Sequence, residues 1–345
     1  MLGFEPACGF FLSCTIYLSK DYLYFKLGEK ELNILIYGAG VIGSIFAGKL
    51  ALSKINVTVL ARGTRLEEIK RNGIILVNPQ IRKRECVPVH AIDTLLPNME
   101  YDYIIVVMQR NQVGEILPVL TENCSKNIVF VVNTADGYDE WVNAIGKDRL
   151  MIGFPSAGGE RNNGEVNYFV GKGFQRIFQT TTFGEYSGVK TERVKTLVNI
   201  FNHANIPSVF YPDMDAWQKT HVALVSSIAN ALYGYECDNV KLGHSYKDVK
   251  DMVSGVKEGF QVLRQNSINP APKKLCWLNL PTPMLTVIFC LFMRTTLAET
   301  TMAKHCAVAR PEMILLQSEF DKLILKSGVK TPTIEKLKKN LYATK

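Results

Sequence analysis

Three glycines near the start of the chain, Gly38, Gly40 and Gly43, have the spacing of a turn that holds a dinucleotide pyrophosphate. They follow the β-branched run Asn33–Tyr37, typical of a strand, and precede Ser44–Leu52, typical of a helix. In that context the first glycine permits the tight turn, the second admits the pyrophosphate close to the backbone, and the third lets helix and strand pack closely. Free N–H groups and the dipole at the helix N-terminus favour the anionic phosphates. We therefore predict a dinucleotide site formed by Gly38, Ala39, Gly40, Val41, Ile42 and Gly43.

The end of the second strand, Asn56–Leu60, indicates which dinucleotide is bound. Sheets that bind NAD usually carry an acidic residue at this point, where it holds the 2′-hydroxyl of the ribose. Here the strand is followed by Ala61, Arg62 and Gly63. A guanidinium group can pair with a 2′-phosphate through two parallel hydrogen bonds. We therefore expect NADP(H) as the cofactor, with Arg62 as its phosphate ligand; the alternative is that Arg62 is an ordinary surface residue.

Two further apolar runs, Asp102–Met108 and Asn127–Asn133, are typical of buried parallel strands. Polar residues stand at their ends, with Gln109 after the first run and Asn133 closing the second. Ligands of doubly wound sheets bind outside the carboxyl ends of the strands. Gln109 and Asn133 are therefore candidate site residues.

A long helix is predicted in the second half of the chain, where Asp213 can cap its start and Gly234 can end it. Most of its residues are apolar, but Lys219, Ser227 and Asn230 form a polar line. Lys219 and Ser227 are eight residues apart and therefore share a face. If this face lines a cleft, desolvation lowers the pKa of the Lys219 ammonium and makes it a useful proton donor. The alternative is an exposed surface lysine.

The composition limits the class of protein. A chain of 345 residues with 47% hydrophobic residues is long and apolar enough for two folded domains. The net charge of +8 is spread without a basic run, so we predict no nucleic-acid surface. The eight cysteines form no CxxC pair and no metal-type spacing with histidine. We expect reduced thiols, no metal site and a cytoplasmic location.

The order of elements predicts an α/β fold in which an N-terminal, Rossmann-type doubly wound sheet precedes an all-helical C-terminal domain. We place an extension outside the main fold at residues 1–30, the NADP-binding domain at 31–208 and the helical substrate domain at 209–345. The apolar stretch Met284–Met293 is too short to span a bilayer and is expected to be a buried core helix, so membrane contact is not expected. The later strands are predicted at Leu150–Gly153, Glu165–Val170 and Ile177–Gly184, and the later helices at Ser245–Gln265, Met284–Ala309, Pro311–Ser327 and Pro332–Leu341.

These motifs together resemble the ketopantoate reductase (2-dehydropantoate 2-reductase) family. The resemblance covers residues 33–340 and rests on Gly38–Gly43, Ala61–Gly63, Asn133, Ala157–Glu160 and Ala216–Lys219. It implies a Rossmann domain and a helical domain, with NADPH and a 2-keto acid bound in the cleft between them. It also implies hydride transfer from NADPH to the keto carbon.

The resemblance assigns roles to individual residues. Lys219 matches the proton donor, and Asn133 matches a residue near both nicotinamide and substrate. Glu312 aligns with the acid that reaches the cofactor from the C-terminal domain. Ser227 falls where the family places a substrate-contacting asparagine. The resulting cofactor set is completed by Gln109 and Gly159, and the substrate set consists of Asn133, Ser227 and Asn230.

Two departures from the family pattern concern the substrate. Gln109 stands where the family usually has a lysine, and Ala223 replaces a substrate-contacting asparagine one turn after Lys219. We therefore expect a divergent NADPH-dependent reductase of a 2-keto acid or related carbonyl compound, with a small carboxylate other than ketopantoate as its substrate. Two alternatives remain: a reductase of a less anionic, opine- or imine-type substrate, and a sensor that binds NADP without chemistry. A homodimer is left open.

Overall fold

Twelve strands and thirteen α-helices form the part of the chain that the structure, a computed structural model, describes: residues 31–170 and 180–343. The strands are β1 Asn33–Tyr37, β2 Asn56–Leu60, β3 Ile74–Asn78, β4 Lys83–Val87, β5 His90–Ile92, β6 Tyr103–Val106, β7 Ile128–Val131, β8 Leu150–Phe154, β9 Ala157–Asn162, β10 Glu165–Val170, β11 Thr181–Glu185 and β12 Ser208–Phe210. The helices of the first half are α1 Val41–Leu52, α2 Gly63–Asn72, α3 Val113–Glu122, α4 Asp139–Ile145 and α5 Glu192–His203. Those of the second half are α6 Met214–Tyr233, α7 Asn239–His244, α8 Tyr246–Gln265, α9 Thr282–Met293, α10 Thr296–Ala298, α11 Lys304–Val308, α12 Arg310–Ser327 and α13 Pro332–Tyr342.

The main sheet has eight strands in the order β12-β11-β8-β7-β6-β1-β2-β5. All neighbouring strands run parallel except β8 and β11. From β1 the chain adds strands on one side, β2 and then β5, before it returns to place β6 on the other side. The sheet therefore has its topological switch point between β1 and β6, where ligands of such sheets bind. The predicted doubly wound sheet is confirmed.

A second sheet, with strand order β4-β3-β10-β9, was not expected from the sequence, and only β10 among its four strands was predicted as a strand. Its strands contact α1, which is apolar on every side and lies between the two sheets. Gly48 makes the close approach possible, since a Cβ there would lie 2.7 Å from the Leu76 side chain. The amphipathic pattern of a single strand does not reveal its partner, so the sequence did not distinguish these strands from those of the main sheet.

The described C-terminal residues, from Met214 onward, contain only helical elements, as predicted. Helix α6 begins where expected, because the Asp213 carboxylate accepts the Ala216 N–H at 2.9 Å. Fifteen of the twenty residues of α6 are buried, and it packs against α8, α12 and α13 around one hydrophobic core. The boundary set at 208/209 falls inside the last strand of the sheet, β12, and stays a prediction.

The single helix predicted over Met284–Ala309 is wrong. Helix α9 ends at Met293, and Thr295 starts a new segment by accepting the Ala298 N–H through its hydroxyl. The chain then continues through α10, a π-helical turn at Glu299–Ala303, and α11. Helix α9 is also not the buried core helix we expected, because one apolar face is exposed and Leu291 is 61% accessible.

Two of the predicted segments lie wholly or partly outside the residues that the structure describes. The predicted extension at residues 1–30 is outside the described residues, and so is the beginning of the strand predicted at Ile177–Gly184, whose described part is β11. Within 31–170 and 180–343, no single helix is long and apolar enough to span a membrane. Two consecutive helices, Lys273–Asn279 and Thr282–Met293, together have the length and apolar composition of a membrane span, but their axes are bent by 110° at the break between them.

Candidate functional site

A cavity of about 550 Å³ opens at the carboxyl ends of β1, β2, β6 and β7, at the switch point of the main sheet. Its wall brings together residues that are up to 275 positions apart in the chain, from Tyr37 to Glu312. The predicted site residues that line it are Gly38, Ala39, Gly40, Val41, Ile42, Gly43, Arg62, Gln109, Asn133 and Glu312.

The glycine turn between β1 and α1 has the geometry that the spacing predicts. Gly38 has φ of +118°, and a Cβ there would lie 2.3 Å from the Val107 carbonyl oxygen. A Cβ on Gly43 would lie 1.9 Å from the Gly38 carbonyl oxygen. At Gly40, by contrast, no described atom lies within 4 Å of such a Cβ, because this residue faces the open cavity. The turn therefore packs tightly against the protein backbone at Gly38 and Gly43 and leaves space for a ligand at Gly40.

The start of α1 leaves room for an anion. Helix α1 has no acidic residue in its first turn and no side-chain cap, since its N-cap is Gly40. The first N–H groups of a helix lack partners within the helix and carry a partial positive charge. A phosphate placed beside Gly40 would satisfy them.

Three arginines surround this end of the cavity. Arg62 is exposed, precedes α2 as its N-cap residue, and lies beside the Tyr37 hydroxyl. Arg65 is buried and structural: its guanidinium donates to the carbonyl oxygens of Ala39 (3.3 Å) and Gly164 (3.1 Å). Arg161 in β9 lines the cavity and reaches the Ala39 oxygen at 3.4 Å. Sequence reasoning missed Arg161, because its strand belongs to the second sheet.

Gly159 does not line the cavity, although it was expected to bind the cofactor. It lies in β9 opposite Tyr168 of β10, with φ of +157°. A Cβ there would be 2.0 Å from the Asn167 carbonyl oxygen, so this position needs glycine for the pairing of β9 with β10. The same strand reaches the cavity two residues later, at Arg161.

Asn133 follows the end of β7 by two residues and lines the cavity wall. Its Oδ1 atom is buried and has no hydrogen-bond partner among the residues that the structure describes. A buried amide oxygen without a partner is costly, so a ligand that donates a hydrogen bond here would be favoured. Asn133 therefore has the properties expected of a group that contacts a bound molecule.

Glu312 enters the cavity from the first turn of α12. It is 4% exposed, and its carboxylate accepts the Arg110 N–H at 3.2 Å. Burial raises the pKa of Glu312 to about 7, an effect that the hydrogen bond from Arg110 opposes and the nearby charge of Glu319 reinforces. The Glu312 carboxyl group therefore changes its charge near neutral pH.

Lys219 lies on α6 but is not among the residues that line the cavity. Its ammonium is 2.6 Å from the Asp215 carboxylate, one turn earlier, and its side chain is 14% exposed. Its neighbour Gln218 is fully buried and donates to the Val132 carbonyl oxygen at 2.8 Å. The start of α6 is therefore held against the end of β7, and the role of Lys219 as proton donor stays a prediction.

The other polar residues of α6 are not placed in the cavity. Ser227 and Ala223 face α8, where they pack against Gly255 and Gly259. Asn230 is buried and donates to the Gln317 side chain at 2.9 Å. The shared face was predicted correctly, but it packs against helices, so the structure does not support direct substrate contact by Ser227 and Asn230.

Two histidines not selected from the sequence lie near the cavity. His305 of α11 lines it. His221 of α6 packs against the Phe154 ring, with ring centroids 4.5 Å apart, and desolvation lowers its pKa to about 4. Desolvation also lowers the pKa of His305. The sequence alone did not mark either histidine as a site residue, because neither stands at a recognisable ligand spacing from another histidine, cysteine or carboxylate.

A family model for "Ketopantoate reductase PanE/ApbA" matches residues 34–187. The 2-dehydropantoate 2-reductase of Pyrococcus horikoshii is 28% identical over 247 residues, which cover 69% of this chain and 75% of that protein. The 2-dehydropantoate 2-reductase of Mesorhizobium japonicum is 26% identical over 229 residues, covering 59% and 68%.

Solved structures show the same fold. A 2-dehydropantoate 2-reductase from Geobacter metallireducens superposes with a TM-score of 0.73 at 15% identity, covering 90% of this chain and 99% of that one. A D-mandelate dehydrogenase solved with NADH and anilino(oxo)acetate gives a TM-score of 0.71 at 16% identity, covering 90% and 97%. Both likenesses extend over the sheet and the helical part.

Proposed function

We propose that this chain is a member of the ketopantoate reductase family and that it reduces the keto group of a 2-keto acid to a hydroxyl group with NADPH, a proposal supported by the family model and the relatives described above. The relatives named above are oxidoreductases that act on a C=O/CH–OH pair. The single observation that carries the proposal is the glycine turn at the switch point of the sheet. This turn packs tightly against the protein backbone at Gly38 and Gly43 and leaves space for a ligand at Gly40. Neither the opine- or imine-type reductase nor the sensor is favoured by these relatives.

The residues of the cavity fit a nicotinamide dinucleotide. The turn from Gly38 to Gly43 and the start of α1 would hold the pyrophosphate. Arg62 is exposed at the end of β2, where the ribose next to the adenine would lie. No carboxylate occupies the position that selects a free 2′-hydroxyl, since Ala61, Arg62 and Gly63 follow the strand. These features support NADP(H) over NAD(H).

The chemistry divides between cofactor and protein. When bound, a reduced nicotinamide would supply the hydride that the keto carbon accepts. Asn133 would position the reacting groups through its unpartnered Oδ1 atom and the amide beside it. Lys219 would donate a proton to the keto oxygen as negative charge develops there, and it must leave Asp215 to do so. Glu312 would contact the cofactor from the helical part.

The substrate is proposed to be a small 2-keto acid other than ketopantoate. Gln109 lines the cavity where the resemblance expects a lysine, and Ala223 is packed against α8. Asn133 and His305 are the hydrogen-bonding groups that we propose for the carbonyl and carboxylate. We further propose that the enzyme works in the cytoplasm, since its scattered cysteines indicate a reducing compartment.

A panel of 2-keto acids tests the reaction. We expect the purified protein to consume NADPH with at least one 2-keto acid and to form the 2-hydroxy acid in equal amount, measured by nicotinamide absorbance and chromatography. Imines formed from an amine and a keto acid serve as the second panel. Binding of NADPH without turnover of any carbonyl compound would instead favour the sensor.

Replacing Arg62 by alanine tests the choice of cofactor. Loss of a charge-assisted bond worth about 1.5–3 kcal/mol should raise the Kd for NADPH ~10- to 100-fold, with the Kd for NADH little changed. Arg71→Ala on the same helix is the control, because Arg71 is exposed and does not line the cavity. Equal weakening of both cofactors in Arg62→Ala, measured by fluorescence titration, would contradict the assignment of the 2′-phosphate to Arg62.

A further inference from the structure

We infer that Glu319 is a positioning residue of this reductase, whose carboxylate fixes both loops that present Gln109 and Asn133 to the cavity. The inference rests on the proposed function, because it concerns the groups that would meet cofactor and substrate. Glu319 itself does not line the cavity. It lies on α12, in the helical part, whereas both loops follow strands of the main sheet.

Each oxygen of the Glu319 carboxylate holds one loop. Oε2 accepts the Thr134 hydroxyl at 2.9 Å and the Ala135 N–H at 2.8 Å, directly after Asn133. Oε1 lies 2.9 Å from Nε of Arg110, directly after Gln109; this contact is an ion pair, since neither atom makes a hydrogen bond with the described residues. The ends of β7 and β6 are thus tied to one another through a single side chain.

The contacts are buried and charged, which makes them geometrically demanding. Glu319 is 2% exposed, Thr134 is 1% exposed and the Arg110 side chain is 11% exposed. The Arg110 guanidinium also lies 2.8 Å from Glu140 and 5.8 Å from the centre of the Trp141 ring. A buried carboxylate requires such partners, and the directions of its two hydrogen bonds, from Thr134 and Ala135, limit the positions that the loop after β7 can take, while the ion pair keeps Arg110 close to it.

Glu319 also acts on the charge of the cavity. Glu312 lies seven residues earlier on the same face of α12, and both carboxylates contact Arg110. The charge of Glu319 adds to burial in raising the pKa of Glu312. The other charged or titratable groups along the cavity wall are Tyr37, Arg62, Arg65, Arg161, Glu115 and His305, and Tyr233 of α6 also interacts with the charge of Glu312.

Glu319→Gln separates positioning from simple packing, since it keeps the shape and one hydrogen-bond acceptor but loses the ion pair with Arg110. We expect kcat with the best 2-keto acid to fall ~10- to 100-fold, the scale for misplaced reacting groups. We also expect the inflection in the pH dependence of NADPH affinity to move to lower pH, because Glu312 loses a negative neighbour. Thr134→Val, which removes one donor to Glu319, should lower kcat in the same direction without moving the inflection.

Glu258→Gln is the matched control. The Glu258 carboxylate, on α8, also accepts backbone N–H groups. Its donors are Thr333 and Ile334 of α13, and none of the three residues lines the cavity. We expect this variant to lose thermal stability and to keep the pH profile. If Glu319→Gln retains the wild-type kcat and inflection, or merely melts earlier as Glu258→Gln does, the inference is wrong. Failure of the wild-type protein to bind NADPH or reduce any keto acid would instead reject the proposed function.

Discussion

Replacing Lys219 by alanine should lower kcat ~10²–10⁴-fold, the contribution of a positioned proton donor. Affinity for NADPH should stay within a few-fold, because Lys219 does not line the cavity that would hold the cofactor. The loss should reside in kcat more than in KM, since the proton is needed only as charge develops on the keto oxygen. Steady-state kinetics and fluorescence titration on the same preparation measure both quantities.

The control for this variant is another helical lysine with a carboxylate in its own helix. The Lys195 side chain on α5 is 43% exposed and lies 2.6 Å from Glu192, much as Lys219 lies 2.6 Å from Asp215. Lys195→Ala should leave both kcat and NADPH affinity unchanged, because a surface ion pair contributes little. A loss of NADPH affinity as large as the loss of turnover in Lys219→Ala would mean that this residue supports the fold of α6 and gives no proton to the substrate.

Alanine at Gly43 should both destabilise the protein and abolish cofactor binding. The new Cβ would lie 1.9 Å from the Gly38 carbonyl oxygen, so α1 must move away from β1. Overpacking of this kind typically costs about 1–3 kcal/mol, and it also displaces the N–H groups that would hold the pyrophosphate. Urea denaturation and NADPH titration should therefore both respond.

Alanine at Gly40 provides the contrast, because a Cβ there meets no described atom within 4 Å. Its φ of −68° suits any residue, so we expect the free energy of unfolding to change by less than about 1 kcal/mol. NADPH affinity should nevertheless fall, because the methyl group projects toward the cavity. Unchanged NADPH binding in Gly40→Ala would place the cofactor elsewhere and remove the main support for the proposed function.

The nucleotide-binding half could be predicted because its determinants are local. The strand Asn33–Tyr37, the glycine turn and the helix after it are adjacent in sequence, so their composition defines the geometry directly. The same holds for Arg62 after β2 and Asn133 after β7, since side chains at the carboxyl ends of parallel strands meet at one edge. The Asp213 cap of α6 is likewise a local signal.

The substrate half could not be predicted, because it depends on which helix faces pack together. The line of Lys219, Ser227 and Asn230 is a true face of α6, but α8 and α12 cover most of it. Periodicity shows that residues share a face; it does not show whether a cavity or another helix lies opposite. The break after Met293 was missed for a similar reason, since the Thr295 cap competes with an otherwise continuous apolar pattern.

By itself, therefore, the sequence determined the fold class, the dinucleotide turn and the residues at the strand ends. Only the tertiary structure brought Arg161 and His305 to the cavity and joined Glu319 to Arg110 and Thr134, over separations of up to 209 positions. The physical reason is that a hydrogen bond within a turn is encoded by neighbouring residues. A buried contact between distant elements depends instead on the packing of the whole chain, which no short pattern contains.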